Sequence, residues 1–208
     1  MSAMMPVGGT VVLVRDAPDG IEVLLIRRPD RGSFANGWVF PGGVVEPVDA
    51  RPGDDEARIA ANAAVRECEE EVGLRPHGLQ AISCWVPPIE ASKRVRTWFF
   101  LAPAPDGEQV LAADEVADAR WLSPEAALAA HAVGEIVLFP PTWVTLNALS
   151  GAPDAETVLG GADVPELYAT HLVGDGVFIW GGDAGHPEGG EGCHRLETAS
   201  LPWSYVRD

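Results

Sequence analysis

Apolar and polar positions follow one another in short, punctuated runs along the chain. Residues 8–14 are rich in β-branched side chains and lead into the turn cluster Asp16-Ala17-Pro18-Asp19-Gly20. The apolar run resumes over residues 21–26, so the two segments predict a β-hairpin. Residues 27–37 are polar and broken by glycine, a loop. Residues 38–40 form a short strand stopped by Pro41-Gly42-Gly43, and residues 44–53 read as a second loop. Asp54 or Asp55 is a suitable N-cap for a helix to about Val72, where Gly73 takes the C-cap position. Strands are predicted over 79–86, 96–102 and 119–122. Ser123-Pro124-Glu125 opens a helix to about Ala130, and Pro140-Pro141-Thr142 opens another through Leu149.

The character changes at Ser150-Gly151-Ala152-Pro153. Beyond it the chain is Gly-rich, with β-like runs at 177–180 and 203–206. This irregular mixture predicts an α+β layered fold rather than a doubly wound one. We place a boundary there, giving a first domain over 1–150 and a C-terminal extension over 151–208. Dimerisation, a lid over a site, or completion of the core are the roles open to that extension.

Composition narrows the picture. The chain has 208 residues, 47% hydrophobic and 22% charged, enough to bury a core. No apolar run is long enough to span a bilayer. The N-terminal residues show no basic segment followed by an apolar one, and the C-terminal residues match no retention signal, so a cytoplasmic location is expected. A net charge of −17 repels nucleic acid and anionic membrane, and neither is expected as a partner. A small anionic substrate needs only local cations. These cluster at Arg27, Arg28 and Arg31, and at Lys93, Arg94 and Arg96. Three widely spaced cysteines without a C-x-x-C pair predict reduced thiols.

The helix over 55–72 carries the most pointed chemistry. At about 100° per residue, Glu67, Glu70 and Glu71 share one face roughly 100° wide, while Val65, Cys68 and Val72 point to the other side. Like charges this close repel, and they sit at the negative end of the helix dipole. Either the face is merely solvated, or a divalent cation reverses the sign of the interaction. Carboxylate oxygens on a rigid helix suit Mg²⁺ or Mn²⁺.

The segment Arg66-Glu67-Cys68-Glu69-Glu70-Glu71-Val72-Gly73-Leu74, following Phe40-Pro41-Gly42-Gly43, resembles the Nudix hydrolase box over roughly residues 6–150. The resemblance implies an α/β/α sandwich with a mixed sheet, and hydrolysis of a diphosphate linkage in a nucleoside diphosphate derivative. It makes Glu67, Glu70 and Glu71, with the backbone carbonyl of Gly42, the ligands of Mg²⁺ or Mn²⁺, and it makes Arg66 the residue that orients the glutamates. The first half of the box departs from the family pattern. Asp49 stands where a structural glutamate is usual, and sixteen residues rather than seven separate it from Arg66. That glutamate is either absent or supplied by Asp49 or Glu56. The lengthened loop, together with residues 96–101, 119–124 and 134–141, looks like the branch containing coenzyme A diphosphatases.

Coenzyme A or its thioesters is therefore the leading substrate expectation. ADP-ribose, a nucleotide sugar, a damaged nucleoside triphosphate, or a non-catalytic nucleotide sensor on the same fold are the alternatives. The general base is a member of the glutamate cluster, with Glu70 the catalytic candidate there, or it is Glu115 on a distant loop. Arg27, Arg28, Arg94 and Arg96 are the substrate-binding candidates, through bidentate contacts to phosphate; structural pairing with the many carboxylates is their other reading. Trp38, Trp85 and Trp98 are candidates to stack on a base or to fill the core. His186, Cys193 and His194 fit no closed zinc motif and read as part of a Gly-rich loop. A homodimer is compatible with all of this.

Overall fold

The computed structural model describes residues 5–32, 34–161 and 164–208; the first four residues of the N-terminal stretch read above for a leader lie outside them. β1 (Val7–Ala17) and β2 (Gly20–Arg27) form the expected hairpin. β3 (Trp38–Val39) and β4 (Gly42–Val44) follow, and a 3-10 turn at Pro47–Asp49 precedes α1 (Glu56–Val72). Then come β5 (Gln80–Val86), β6 (Arg96–Pro103), β7 (Asp118–Leu122), α2 (Pro124–Ala132), α3 (Pro140–Leu149) and α4 (Ala155–Gly160). The C-terminal part adds β8 (Glu166–Ala169), β9 (His171–Val173), β10 (Val177–Ile179), β11 (His194–Glu197) and β12 (Ser204–Arg207).

The main sheet runs β3-β2-β1-β6-β5-β8, with β4 pairing β1 and β7 pairing β2. β1 and β6 are parallel, as are β5 and β8, while the other pairings are antiparallel, so the sheet is mixed. The unbroken apolar run of β1 follows from burial on both faces. Val11 and Leu13 join α1 in one core, while Val12 and Val14 join α2 and α3 in the other. The result is the expected three-layered α+β sandwich.

Two local details place α1 over the sheet. Asp55 caps its first turn by accepting from Arg58 N–H at 2.8 Å, and Gly73 ends it in a left-handed conformation. Ala60, Ala61, Ala63 and Ala64 give it a thin apolar face, and against that face the β1 backbone comes unusually close. A Cβ on Gly9 would stand 1.8 Å from the Ala60 carbonyl oxygen. Gly9→Ala must push α1 off the sheet, and we expect it to cost about 3 kcal/mol, seen as a fall of roughly 6–12 °C in Tm.

The segment after Pro41 differs from the loop expected there. Gly42–Val44 pairs with Gly8–Thr10 of β1, a pairing too short and too glycine-rich to announce itself by alternation. The C-terminal part is also more regular than expected. β9 to β12 form a four-stranded antiparallel sheet, and β8 extends the main sheet. Its Gly-rich segment is pinned by Asp183, which is fully buried and accepts from both Nε and Nη2 of Arg195, at 2.8 and 2.7 Å, and from the N–H groups of Gly185 and His194. The Arg195 hydrogen bonds hold its carboxyl well below the usual range. Tyr168, Trp180 and Leu196 share one core with Trp85, Phe99 and Trp143. Among the described residues, no helix is long and apolar enough to cross a membrane.

Candidate active site

α1 presents its last two turns to the loop after β3, and Arg66 organises the meeting. Its Nε and Nη2 grip the two carboxylate oxygens of Asp49 at 3.0 and 3.1 Å. Its Nη1 donates to Glu67 at 2.9 Å and to Glu70 at 2.8 Å, and Nη2 also reaches the Val44 carbonyl. Burial alone would raise the Asp49 carboxyl. Hydrogen bonds from Arg66 and from the Glu46 N–H, with the guanidinium charge, hold it below its ordinary value instead. Of the two residues weighed as stand-ins for the structural glutamate, Asp49 takes the contact with Arg66. Glu56 lies elsewhere, accepting from Arg96 and from the Trp98 indole.

Glu71 is fully buried. One carboxylate oxygen accepts from Gly42 N–H at 2.9 Å and the other from Arg28 Nη1. Burial nevertheless pushes its pKa up to about 7, against the opposing effects of that N–H and of Arg28. Glu67 is also raised, chiefly by burial, with Arg66 opposing and the charges of Glu70 and Glu115 adding to the shift. Gly43 lets the Glu67 carboxyl lie against the backbone, since a Cβ there would stand 2.3 Å from the carboxyl carbon and displace it. Cys68, on the buried side of the helix, has its thiol pushed up to about 12 by burial and is inert.

The loop between β6 and β7 supplies the third carboxylate. Its backbone is tied to the end of α1 by Val110 N–H to the Val72 carbonyl and by Ala112 N–H to the Glu71 carbonyl. Val116 is buried beneath it. Glu115 is thereby brought to Glu67 and Glu71, and carboxylate oxygens of all three lie within 4.8 Å of one another. Three crowded carboxylates, one fully buried, are a hard-oxygen donor set that fits Mg²⁺ or Mn²⁺. Glu70 is half exposed and faces Arg66, not this cluster. Gly42 meets Glu71 through its N–H.

The cluster meets a cavity of about 710 Å³ through Glu67, which lines it together with Arg28, Gly42 and Gly43; Lys93 also lines the cavity. Phe40, Trp85, Phe99 and Phe139 form much of the rest, with Leu172 and Phe178 from the C-terminal sheet. Of the four candidate arginines, Arg28 alone lines the cavity. Arg94 donates to the Pro87 carbonyl and Arg96 to Glu56. Arg27 lies in β2, its carbonyl accepting from Ala117 N–H. Trp85 stacks on Tyr168 with ring centroids 3.9 Å apart, Trp38 is buried beneath Arg120, and Trp98 donates to Glu56. Leu172 and Phe178 carry no signal in the sequence, because short strands without alternation give no hint of what they face.

The other histidine and cysteine candidates do not converge. His194 Nδ1 contacts the Gly181 carbonyl and its Nε2 the Tyr205 hydroxyl, and His186 packs edge-on against His171. Among the described residues the acidic trio is the one grouping with metal-ligand spacing.

Comparison with known proteins identifies the family and the fold. A family model described as the NUDIX domain matches residues 5–140. Putative nudix hydrolase 7 of Caenorhabditis elegans is 28% identical over a match covering 64% of this chain and 57% of that protein, so the chain spans little more than half the length of this curated relative. The crystal structure of a NUDIX hydrolase from Alicyclobacillus acidocaldarius superposes with a TM-score of 0.69 at 24% identity, covering 79% of this chain and 99% of that one. A MutT NUDIX hydrolase from Burkholderia pseudomallei gives 0.55 at 23%, covering 71% and 100%. The NUDIX domain of Shewanella oneidensis NrtR, solved with ADP ribose, gives 0.55 at 16%, covering 71% and 86%. At these identities the solved structures show a common fold.

Proposed function

The chain belongs to the NUDIX family, and on that footing we propose that it is a Mg²⁺-dependent (or Mn²⁺-dependent) hydrolase of the diphosphate linkage in a nucleoside diphosphate derivative, coenzyme A or an acyl-coenzyme A being the favoured substrate. The observation that carries this reading is the convergence of Glu67, Glu71 and Glu115 beside a large, mostly apolar cavity that Glu67 lines. These three side chains would hold the cation, with Glu70 and the Gly42 carbonyl as the further ligands implied by the box. When bound, the cation neutralises phosphate oxygens and lowers the pKa of a coordinated water. Arg28 and Lys93, which line the cavity, would meet the remaining phosphate charge. Arg66 does not touch substrate; it fixes Glu67 and Glu70 by hydrogen bonds. The proton of the attacking water would go to a carboxylate, Glu70 on α1 or Glu115 on the loop between β6 and β7. We assign residues 1–150 to the catalytic unit and residues 151–208 to an extension that completes the cavity. A cytoplasmic enzyme is consistent with its small diphosphate substrates.

The test is turnover of a panel (coenzyme A, octanoyl-coenzyme A, ADP-ribose, a nucleotide sugar and a nucleoside triphosphate) with and without Mg²⁺, products identified by mass. Glu70→Gln and Glu71→Gln run beside the wild type. Metal-dependent cleavage of the coenzyme A diphosphate is expected, reduced by roughly 10²-fold or more in Glu71→Gln. Equal activity in wild type and both variants would overturn the mechanism; cleavage of ADP-ribose alone would replace the substrate.

A further inference from the structure

The extension contributes to the cavity through a specific pair of side chains. In the register of β9 and β10, Leu172 stands directly opposite Phe178. Cross-strand partners point to the same face of a sheet, so the two form one apolar plate, and both line the cavity that Glu67 of the carboxylate cluster also lines. Trp85 and Phe139 line the same cavity from β5 and from the residue capping α3.

The polar groups along the cavity decide what that plate receives. Apart from Arg28, Glu67, Glu90 and Lys93, the polar side chains lining it are four threonines. Two of these are already engaged: Thr97 donates to the Val95 carbonyl, and Thr170 accepts from the Trp180 indole while donating to the Tyr168 carbonyl. No amide or serine side chain lines the cavity among the described residues. A sugar ring laid against this plate would leave hydroxyls facing apolar side chains without partners, which is costly wherever they lose contact with water. A hydrocarbon chain needs none, and gains from each methylene removed from water.

Resting on the diphosphatase reading above, we propose that Leu172 and Phe178 are specificity-determining residues: the C-terminal sheet forms the wall that receives the hydrocarbon portion of the substrate's non-nucleotide moiety, a flexible acyl chain and not a sugar. The extension thereby acts as part of the active site, selecting what accompanies the diphosphate while the box residues act on the diphosphate itself.

Calorimetric titration of the full chain with coenzyme A and with octanoyl-coenzyme A, in chelator so that nothing turns over, tests this directly. Burial of two or three methylenes gives the octanoyl ester an advantage of about tenfold or more in Kd. A Leu172→Ala/Phe178→Ala double variant is expected to reduce that ratio to about threefold or less. Leu172→Trp, which fills the space instead of emptying it, is expected to reduce it by steric exclusion. Far-ultraviolet circular dichroism confirms that each variant is folded. Equal affinity of wild type for the two ligands, an undiminished ratio in both variants, or no binding of either ligand would overturn the proposal. A wild type that prefers the octanoyl ester yet hydrolyses no coenzyme A derivative with Mg²⁺ keeps the apolar wall and loses the substrate reading. Hydrolysis without any chain-length preference does the reverse.

Discussion

Glu67→Gln is expected to lower the metal-dependent kcat by about 10³-fold while leaving the fold intact. The substitution removes charge without removing volume, which matters because Gly43 lies against this carboxyl with no room for another atom. The amide oxygen can still accept from Arg66 Nη1, so the loop geometry survives. What is lost is one of three anionic oxygens within 4.8 Å of one another. A companion measurement separates this cause from a general loss of structure. Without a cation, the Glu67, Glu71 and Glu115 charges oppose folding, so neutralising one should leave the metal-free Tm unchanged or slightly higher. With Mg²⁺ at about a hundred times its Kd, linkage raises wild-type stability by about 2.7 kcal/mol, or roughly 5–10 °C in a chain of this size. That rise should largely vanish in Glu67→Gln. A variant that retains both turnover and the Mg²⁺-induced shift would remove Glu67 from the metal site.

The elements that sequence made legible are those whose local chemistry and tertiary role coincide. α1 was bounded by its caps, since Asp55 and Gly73 satisfy groups that the helix itself leaves open. The β1–β2 hairpin was marked by its turn residues and by a run buried on both faces. The carboxylates on α1 could be placed on one face by periodicity alone. Periodicity, however, measures direction around an axis and not what lies opposite. It therefore grouped Glu70 with Glu67 and Glu71, whereas the fold brings Glu115 across from a loop and turns Glu70 toward Arg66. The arginines illustrate the same limit: sequence proximity clustered Arg94 with Arg96, but one answers a carbonyl in its own loop and the other Glu56 on α1. In the C-terminal part, order comes from one buried hub, Asp183, whose four donors are separated from it by 2 to 12 residues. No window of local composition reports such a hub.

Arg66→Ala is expected to destabilise the protein by about 3 kcal/mol or more, a fall of roughly 6–12 °C in Tm, and to lower kcat by about 10- to 100-fold through displacement of Glu67 and Glu70. The stability loss comes from the partner left behind. Asp49 has only 3% of its side chain exposed, and removing Arg66 strips both of its oxygens of guanidinium contacts. Arg66→Lys should recover less than half of the loss, because a single ammonium cannot reproduce contacts made by three guanidinium nitrogens to Asp49, Glu67, Glu70 and the Val44 carbonyl together. The pH dependence gives a signature that simple loss of packing would lack. In the wild type the Asp49 carboxyl titrates below its unfolded value of 3.8, so the pair's contribution is fully present above that pH and is lost as pH falls through the lower folded value. In Arg66→Ala the carboxyl remains buried without its cation, its pKa rises, and the variant is penalised most where Asp49 must be charged. The difference in stability between wild type and variant should therefore be largest near neutrality and narrow below about pH 4. Denaturant titrations at pH 7 and pH 3.5 decide the matter: a difference that stays constant across that range would mean that Arg66 stabilises the loop by its aliphatic stem and not through its ion pair with Asp49.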